Sequence, residues 1–414
     1  MKITKYKLNN GLHLIFCNDN TKHCTIANLF VKFGGSNQNI IVDNKKIKIK
    51  KGTAHFMEHL LIEHSIYGNA LNVFKQNHTF SNGMTDDMKT EFYINSVINF
   101  EEDLIKLINL VNNSKFTKEN VEDTRGAIIK EKMMNKDNEF TELYKIGYEC
   151  LFNNLKYPNV LGEIKDIETI SYEELKLCYD TFYSPNNQTL IISGKFNEKK
   201  IKKIIEDTYS KINKQELSYI VPKIEEDNKI KIKEKNIKKD IYIDYVRINY
   251  KLDISNLCSV DQIKLGFYLD SFLSYLFDAS SKLYNELVER QICVYNINYS
   301  FEKIDNFYIV KIGTYTNKHE EFIEKILESI NEKKLNEKDF NIRKKENIID
   351  LILREDNLFS MIKPFFDNIF TFNYYELDKI EDIENQTFED YKKTIKNLNF
   401  NEFCITKMLK NTNN

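Results

Sequence analysis

Residues Lys115 to Phe140 read KFTKENVEDTRGAIIKEKMMNKDNEF, and Lys334 to Phe359 read KLNEKDFNIRKKENIIDLILREDNLF. The two stretches overlie without a gap at a constant offset of 219 residues. Ile129 falls on Ile348, Asp137-Asn138 on Asp356-Asn357 and Phe140 on Phe359. Just upstream, Glu91-Phe92-Tyr93-Ile94 resembles Asn306-Phe307-Tyr308-Ile309, and each of these strands leads into an amphipathic helix. Self-similarity of this kind means that one supersecondary plan has been used twice. It predicts an α+β fold of two homologous domains, each a mostly antiparallel sheet with helices packed on one face.

Outward from the repeat, the first half begins with a hairpin, Tyr6–Leu8 and Leu12–Phe16 around Asn9-Asn10-Gly11. Thr25–Phe33 and Thr90–Ile98 read as strands, and Gln188–Ser193 as a buried one ending at Gly194. Helical spacing covers about 53 to 64, then 100 to 111 with Leu104, Leu107, Ile108 and Val111 on one face, then 119 to about 134 and 140 to 152. Residues 222 to 240 carry many lysines, interspersed acids and few large apolar groups, the composition of a solvated linker. The division expected is therefore an N-terminal domain over 1–215, a linker over 216–240 and a homologous C-terminal domain over 241–414.

A chain of 414 residues, 42% hydrophobic and 29% charged, has material for two cores. Its formal net charge of -2 gives no electrostatic reason to expect nucleic acid or an anionic membrane as partner. No run of about 18 apolar residues occurs, and the first residues lack the apolar stretch of a secretion signal. The seven cysteines are scattered and form no CxxC pair, as expected of reduced thiols in a cytoplasmic protein.

Chemistry concentrates in His55-Phe56-Met57-Glu58-His59. On a helix, positions i and i+4 lie one above the other, so His55 and His59 project from one face and can share an ion. Glu58 sits to the side of that face, within reach of a water at the ion without being a ligand. Catalytic zinc sites use three protein ligands and leave the fourth position open, and a neighbouring carboxylate moves the water's proton. The third ligand should be an acid on another helix, and Glu131 is the candidate. Alone it would read as a surface acid, but in the repeat it falls on Asp350, in a half that has no histidine pair.

Gly52 through Leu61, GTAHFMEHLL, resembles the signature of the pitrilysin/insulinase-type zinc peptidases, the inverzincins that include the mitochondrial processing peptidases. Glu131, 72 residues after His59, stands near that family's spacing for its third ligand. The segment Phe80 to Thr85 with Thr90 and Tyr93 is similar to its edge strand beside the metal, and Ser281 to Leu287 with Tyr295 to its second-half signature. The likeness runs from about residue 8 to about residue 360. It implies a mitochondrial-processing-peptidase-like fold and a zinc metalloendopeptidase, with Zn2+ on His55, His59 and Glu131 and with Glu58 as catalytic base. Ser81, Asn82 and Gly83 would pair with an extended peptide substrate, where the plainer reading is an ordinary sheet edge. Tyr295 would contact the substrate or, equally well, serve packing.

The sequence departs from that pattern at Thr124 and Val288, where the family commonly has Glu and Arg, and at Ile292, where it has Gly. The spacing after Gly34-Gly35-Ser36, with its insert before Gly52, most resembles bacterial members encoded as paired paralogues, and the family's substrate-holding Arg is absent at Val288. This resemblance implies a zinc-bearing subunit that closes a chamber with a homologous metal-free partner, as a heterodimer, or with a second copy. The alternative is a weakly active or structural subunit that keeps its zinc site.

Overall fold

Alternating apolar strands and helices organise the chain around two large sheets and one small one, described by a computed structural model over residues 1–134, 138–212, 218–354, 356–377 and 379–411. Asn135 to Asp137 and Glu355 of the repeat, and the expected boundary at 215, lie outside the described residues.

The first compact unit comprises 1–137 and 158–223. Its strands are β1 (Lys2–Lys7), β2 (His13–Asn18), β3 (Thr25–Val31), β4 (Asn39–Val42), β5 (Lys45–Lys48), β6 (Phe80–Thr85), β7 (Thr90–Ser96), β8 (Gln188–Gly194) and β9 (Tyr219–Ile220). Six of them form a sheet in the order β1-β2-β8-β3-β7-β6, and β5-β4-β9 form a small second one. Its helices are α1 (Thr53–Glu63), α2 (Ala70–Gln76), α3 (Phe100–Asn112), α4 (Lys118–Met134), α6 (Ile164–Ile167), α7 (Tyr172–Phe182) and α8 (Glu198–Tyr209); α5 (Glu139–Leu151) belongs to the second unit. Leu14, Leu29, Ile94 and Ile192 on one sheet face share a core with Phe56 and Leu60 of α1 and with Leu104, Leu107, Ile108 and Val111 of α3. That α3 quartet is the stripe read from its spacing.

The second unit, 138–157 and 224–414, contains β10 (Glu234–Lys239), β11 (Tyr245–Asp253), β12 (Asn298–Ile304), β13 (Phe307–Tyr315) and β14 (Phe403–Lys410), ordered β10-β14-β11-β13-β12. Its remaining helices are α9 (Ser259–Phe277), α10 (Lys282–Glu289), α11 (His319–Glu332), α12 (Glu337–Arg354), α13 (Leu358–Phe372), α14 (Ile380–Glu384) and α15 (Phe388–Asn397). Leaving aside the outer strand β1, substituting β2, β8, β3, β7 and β6 by β10, β14, β11, β13 and β12 turns one sheet order into the other. Among the described residues, the only parallel pair in each sheet is the corresponding one, β2 with β8 and β10 with β14. The repeat extends to a cap. Asn138 accepts the Thr141 amide at the start of α5, and Asn357, its counterpart, accepts the Ser360 amide at the start of α13.

Two features differ from the division read off the sequence. The stretch expected as linker contains β10, a sheet edge paired through its main chain with β14 from Glu234↔Ile405 onward. An edge strand needs no apolar run, because its outer side chains stay in water. Helix α5, expected in the N-terminal domain, packs on the second sheet. Lys251 explains why. Its Nζ, fully buried, donates to the Leu151 carbonyl at the end of α5 (3.1 Å) and pairs with Glu226 Oε1 (2.9 Å). The ammonium lies 4.8 and 4.6 Å from the ring centroids of Phe152 and Phe307. Glu226 in turn accepts the amides of Asn153, Asn154 and Leu155. Lys251→Ala leaves that carboxylate with its amides but without its charged partner, so we expect a loss of about 3 kcal/mol in stability, read as a lower urea midpoint.

In α12, Arg343 stands at the counterpart of Thr124. Its guanidinium pairs with Asp278 (2.5 Å) and Glu346 (2.8 Å), and Asp270 of α9 and Asp350 share the same electrostatic neighbourhood. No helix among the described residues is long and apolar enough to cross a membrane.

Candidate metal centre

Helix α1 starts at a backbone pinch. Gly52 has φ 88°, and a Cβ there would stand 3.0 Å from Gly162 Cα, so two glycines let the segments meet back to back. No glycine or proline interrupts Thr53–Glu63, and nearly all of the helix is buried. One face carries His55, His59 and Glu63 at successive i+4 steps. Helix α4 presents a matching stripe, with Val121, Thr124 and Ile128 buried and Glu131 next along it. Arg125 anchors α4. It donates to the carbonyls of Ile167 and Ile170 and lies 5.6 Å from the Phe56 ring centroid of α1. Glu131 is thereby brought opposite the histidines.

The resulting geometry is compact. Glu131 Oε2 lies 3.2 Å from His59 Nε2 and 3.7 Å from His55 Nε2, and ligand atoms of all three residues fall within 4.8 Å of one another. A tetrahedron with bonds of 2.0–2.1 Å has edges of about 3.3 Å, so these separations suit one small cation. The donor set of two imidazoles and a carboxylate is also one that zinc accepts. Burial, with the charges of His59 and Lys132, pushes the His55 imidazole down to about 3, which keeps it a neutral donor. Burial alone would lower His59 too. The hydrogen bond to Glu63 and the charges of Glu58, Glu131 and Glu63 outweigh it and hold His59 above its ordinary value.

Glu58 lies beside this cluster, on the side of α1 that faces β6. It is buried, and its Oε2 accepts a hydrogen bond from Thr85 Oγ1 at 2.6 Å. Burial pushes its carboxyl up to about 7, against the opposing effects of Thr85 and His59. A carboxyl poised near neutrality suits proton transfer in both directions. Thr85 Oγ1 lies 3.4 Å from Thr90 Oγ1, which donates to the Phe33 carbonyl. Gly83 lies directly over Glu58, since a Cβ there would stand 2.7 Å from Glu58 Oε1 and 2.6 Å from Ile62 Cδ1.

Among the described residues strand β6 pairs only with β7 and forms the edge of its sheet. Ser81 and Gly83 lie on the side nearer α1, while Asn82 is exposed on the other with Phe80 and Met84. Tyr295, expected as a substrate contact, belongs to the second unit. It is exposed there, with its ring 5.6 Å from that of Tyr315. His64, off the metal face by its spacing, contacts Asn120 at 3.0 Å instead.

A family model described as the peptidase M16 inactive domain matches residues 169–347. A Bacillus subtilis protein named uncharacterized zinc protease YmfH is 27% identical over 310 residues, covering 74% of this chain and 70% of its own. An uncharacterized zinc protease of Rickettsia bellii is 26% identical over 222 residues, so the match spans about half of each protein (52% and 52%). Among solved structures, a putative M16-like peptidase from Alicyclobacillus acidocaldarius superposes with a TM-score of 0.86 at 19% identity, covering 99% of this chain and 98% of that one. A protease from Helicobacter pylori gives 0.81 at 16%, covering 99% of both. The chain is thus similar in sequence to these zinc proteases and shares the fold of the M16-like peptidase. The stretch matched to the M16 inactive domain begins beyond Glu131, so that description concerns no residue of the cluster.

Sequence reasoning passed over three residues of the site. Glu63 was detectable by the i+4 step that paired His55 with His59. Thr85 stands in the Phe80–Thr85 segment, where nothing in the sequence marks a role for its hydroxyl. Arg125, a charged residue whose partners are distant carbonyls, left no local signal.

Proposed function

We propose that this chain is a zinc metalloendopeptidase that hydrolyses peptide bonds of small or unfolded peptides. The observation that carries the reading is the His55–His59–Glu131 cluster with the buried Glu58 between it and the β6 sheet edge. His55, His59 and Glu131 would hold the ion, which when bound supplies a Lewis acid that polarises the scissile carbonyl. The remaining work falls to the chain. An extended peptide adds to the outer edge of β6 at Ser81, Asn82 and Gly83, which fixes its backbone and selects unfolded segments. Glu58, oriented by Thr85, takes the proton of the attacking water and returns it to the leaving nitrogen.

The subunit arrangement proposed is a zinc-bearing chain that acts with a homologous metal-free partner. Its support is Val288, half-exposed on α10 where the resemblance places a substrate-holding Arg. Nearby Arg290 does not replace that Arg, being held by Glu286 (3.2 Å) and Glu321 (3.0 Å). The same valine favours a second reading, a subunit that binds zinc and contributes little turnover.

One experiment addresses both. Zinc content and cleavage of a quenched peptide are measured for the chain alone and mixed with such a paralogue, before and after chelation. We expect one zinc per chain, a sharp rise in cleavage on mixing, loss on chelation and recovery with added zinc. Bound zinc with no cleavage in either state would favour the structural subunit. Cleavage indifferent to chelation would refute the metallopeptidase reading.

A further inference from the structure

The two rings of the cluster are supported unequally. His55 Nδ1 is buried and has no hydrogen-bond partner among the described residues. His59 Nδ1 faces Glu63 Oε1 at 3.3 Å, one turn further along α1. The other oxygen of that carboxylate, Glu63 Oε2, accepts a hydrogen bond from Thr124 Oγ1 at 3.2 Å. Thr124 is fully buried in the α4 stripe that ends at Glu131. The antiparallel pair of helices therefore makes two contacts across one seam: Glu63 with Thr124, and the histidines with Glu131. A histidine that offers one ring nitrogen to a metal is oriented by what holds the other, and a carboxylate in that place fixes the tautomer and makes the ring a better donor.

We propose that Glu63, itself held by Thr124, is the positioning residue of this centre, fixing the His59 ring so that Nε2 faces the ion. The inference rests on the zinc reading above. It also gives Thr124 a role: a hydroxyl at this position supports a carboxylate delivered from the motif helix itself, so the departure from the family pattern does not leave His59 unbraced.

The test uses the full chain and the variants Glu63→Ala, Glu63→Gln and Thr124→Val. Zinc affinity is measured by competition with a chromogenic chelator, cobalt(II) is loaded for its visible bands, and melting is followed without added metal. For Glu63→Ala we expect zinc affinity to fall about 10- to 100-fold, with shifted cobalt bands and near wild-type melting. Glu63→Gln, which keeps the shape and loses the charge, should fall in between. Thr124→Val should weaken binding several-fold. Wild-type zinc affinity in a folded Glu63→Ala protein would overturn the proposal. So would a lowered melting temperature with cobalt bands unchanged, since that is the mark of a purely structural carboxylate. Failure of the wild-type chain to bind zinc would instead sink the metallopeptidase reading, a result distinct from either.

Discussion

Glu58→Gln should abolish most peptide cleavage, by roughly 10²–10⁴-fold, while leaving zinc binding intact. The amide matches the carboxylate in shape and can still meet Thr85 Oγ1, so the buried site need not rearrange. What it cannot do is accept a proton from water and hand it to a leaving amine. Glu58 is separate from the three residues whose ligand atoms cluster, so metal content and fold should both survive. Paired measurements of zinc stoichiometry and quenched-peptide turnover check this. Undiminished turnover in the variant would remove Glu58 from its role as base.

Gly83→Ala is the second large effect, and it acts through space. The added Cβ would meet Glu58 Oε1 at 2.7 Å and Ile62 Cδ1 at 2.6 Å. Both are ends of flexible side chains, so β6 can keep its pairing with β7 while the carboxylate is pushed aside. A displacement near 1 Å at a reacting group costs about 100-fold in rate. The expected result is therefore a loss of turnover of about that size with zinc affinity and melting temperature little changed. A variant as active as wild type would show that the base does not work from beneath this strand.

How much of this could be read beforehand depends on how local each signal is. The α3 stripe, the α1 histidine pair and the repeated helices follow from spacing along one element, and the sequence displays spacing directly. The capping asparagines Asn138 and Asn357 sit where the 219-residue offset puts them. The candidate ligand Glu131 needed the repeat as well as its helix, because one acid among many carries no mark of its own. What escaped was set by tertiary contact. Helix α5 is assigned by a lysine about a hundred residues away whose buried ammonium meets its last carbonyl. β10 hides in a lysine-rich stretch because an edge strand depends on its backbone and not on apolar side chains. Gly83 was named as a substrate contact, while its closeness to Glu58 depends on how α1 crosses β6.

Arg343 carries a consequence for the duplicated plan. Where α4 has the short Thr124, α12 extends a guanidinium into a group of acids. Positive charge there is covalently supplied and present from the moment of folding, indifferent to what the surroundings contain. In the first half, on the zinc reading proposed above, the corresponding charge would be acquired with the ion and could be lost with it. If the first half holds zinc as proposed, one copy of the scaffold is self-sufficient and the other conditional on supply, and metal scarcity would leave the former whole while silencing the latter.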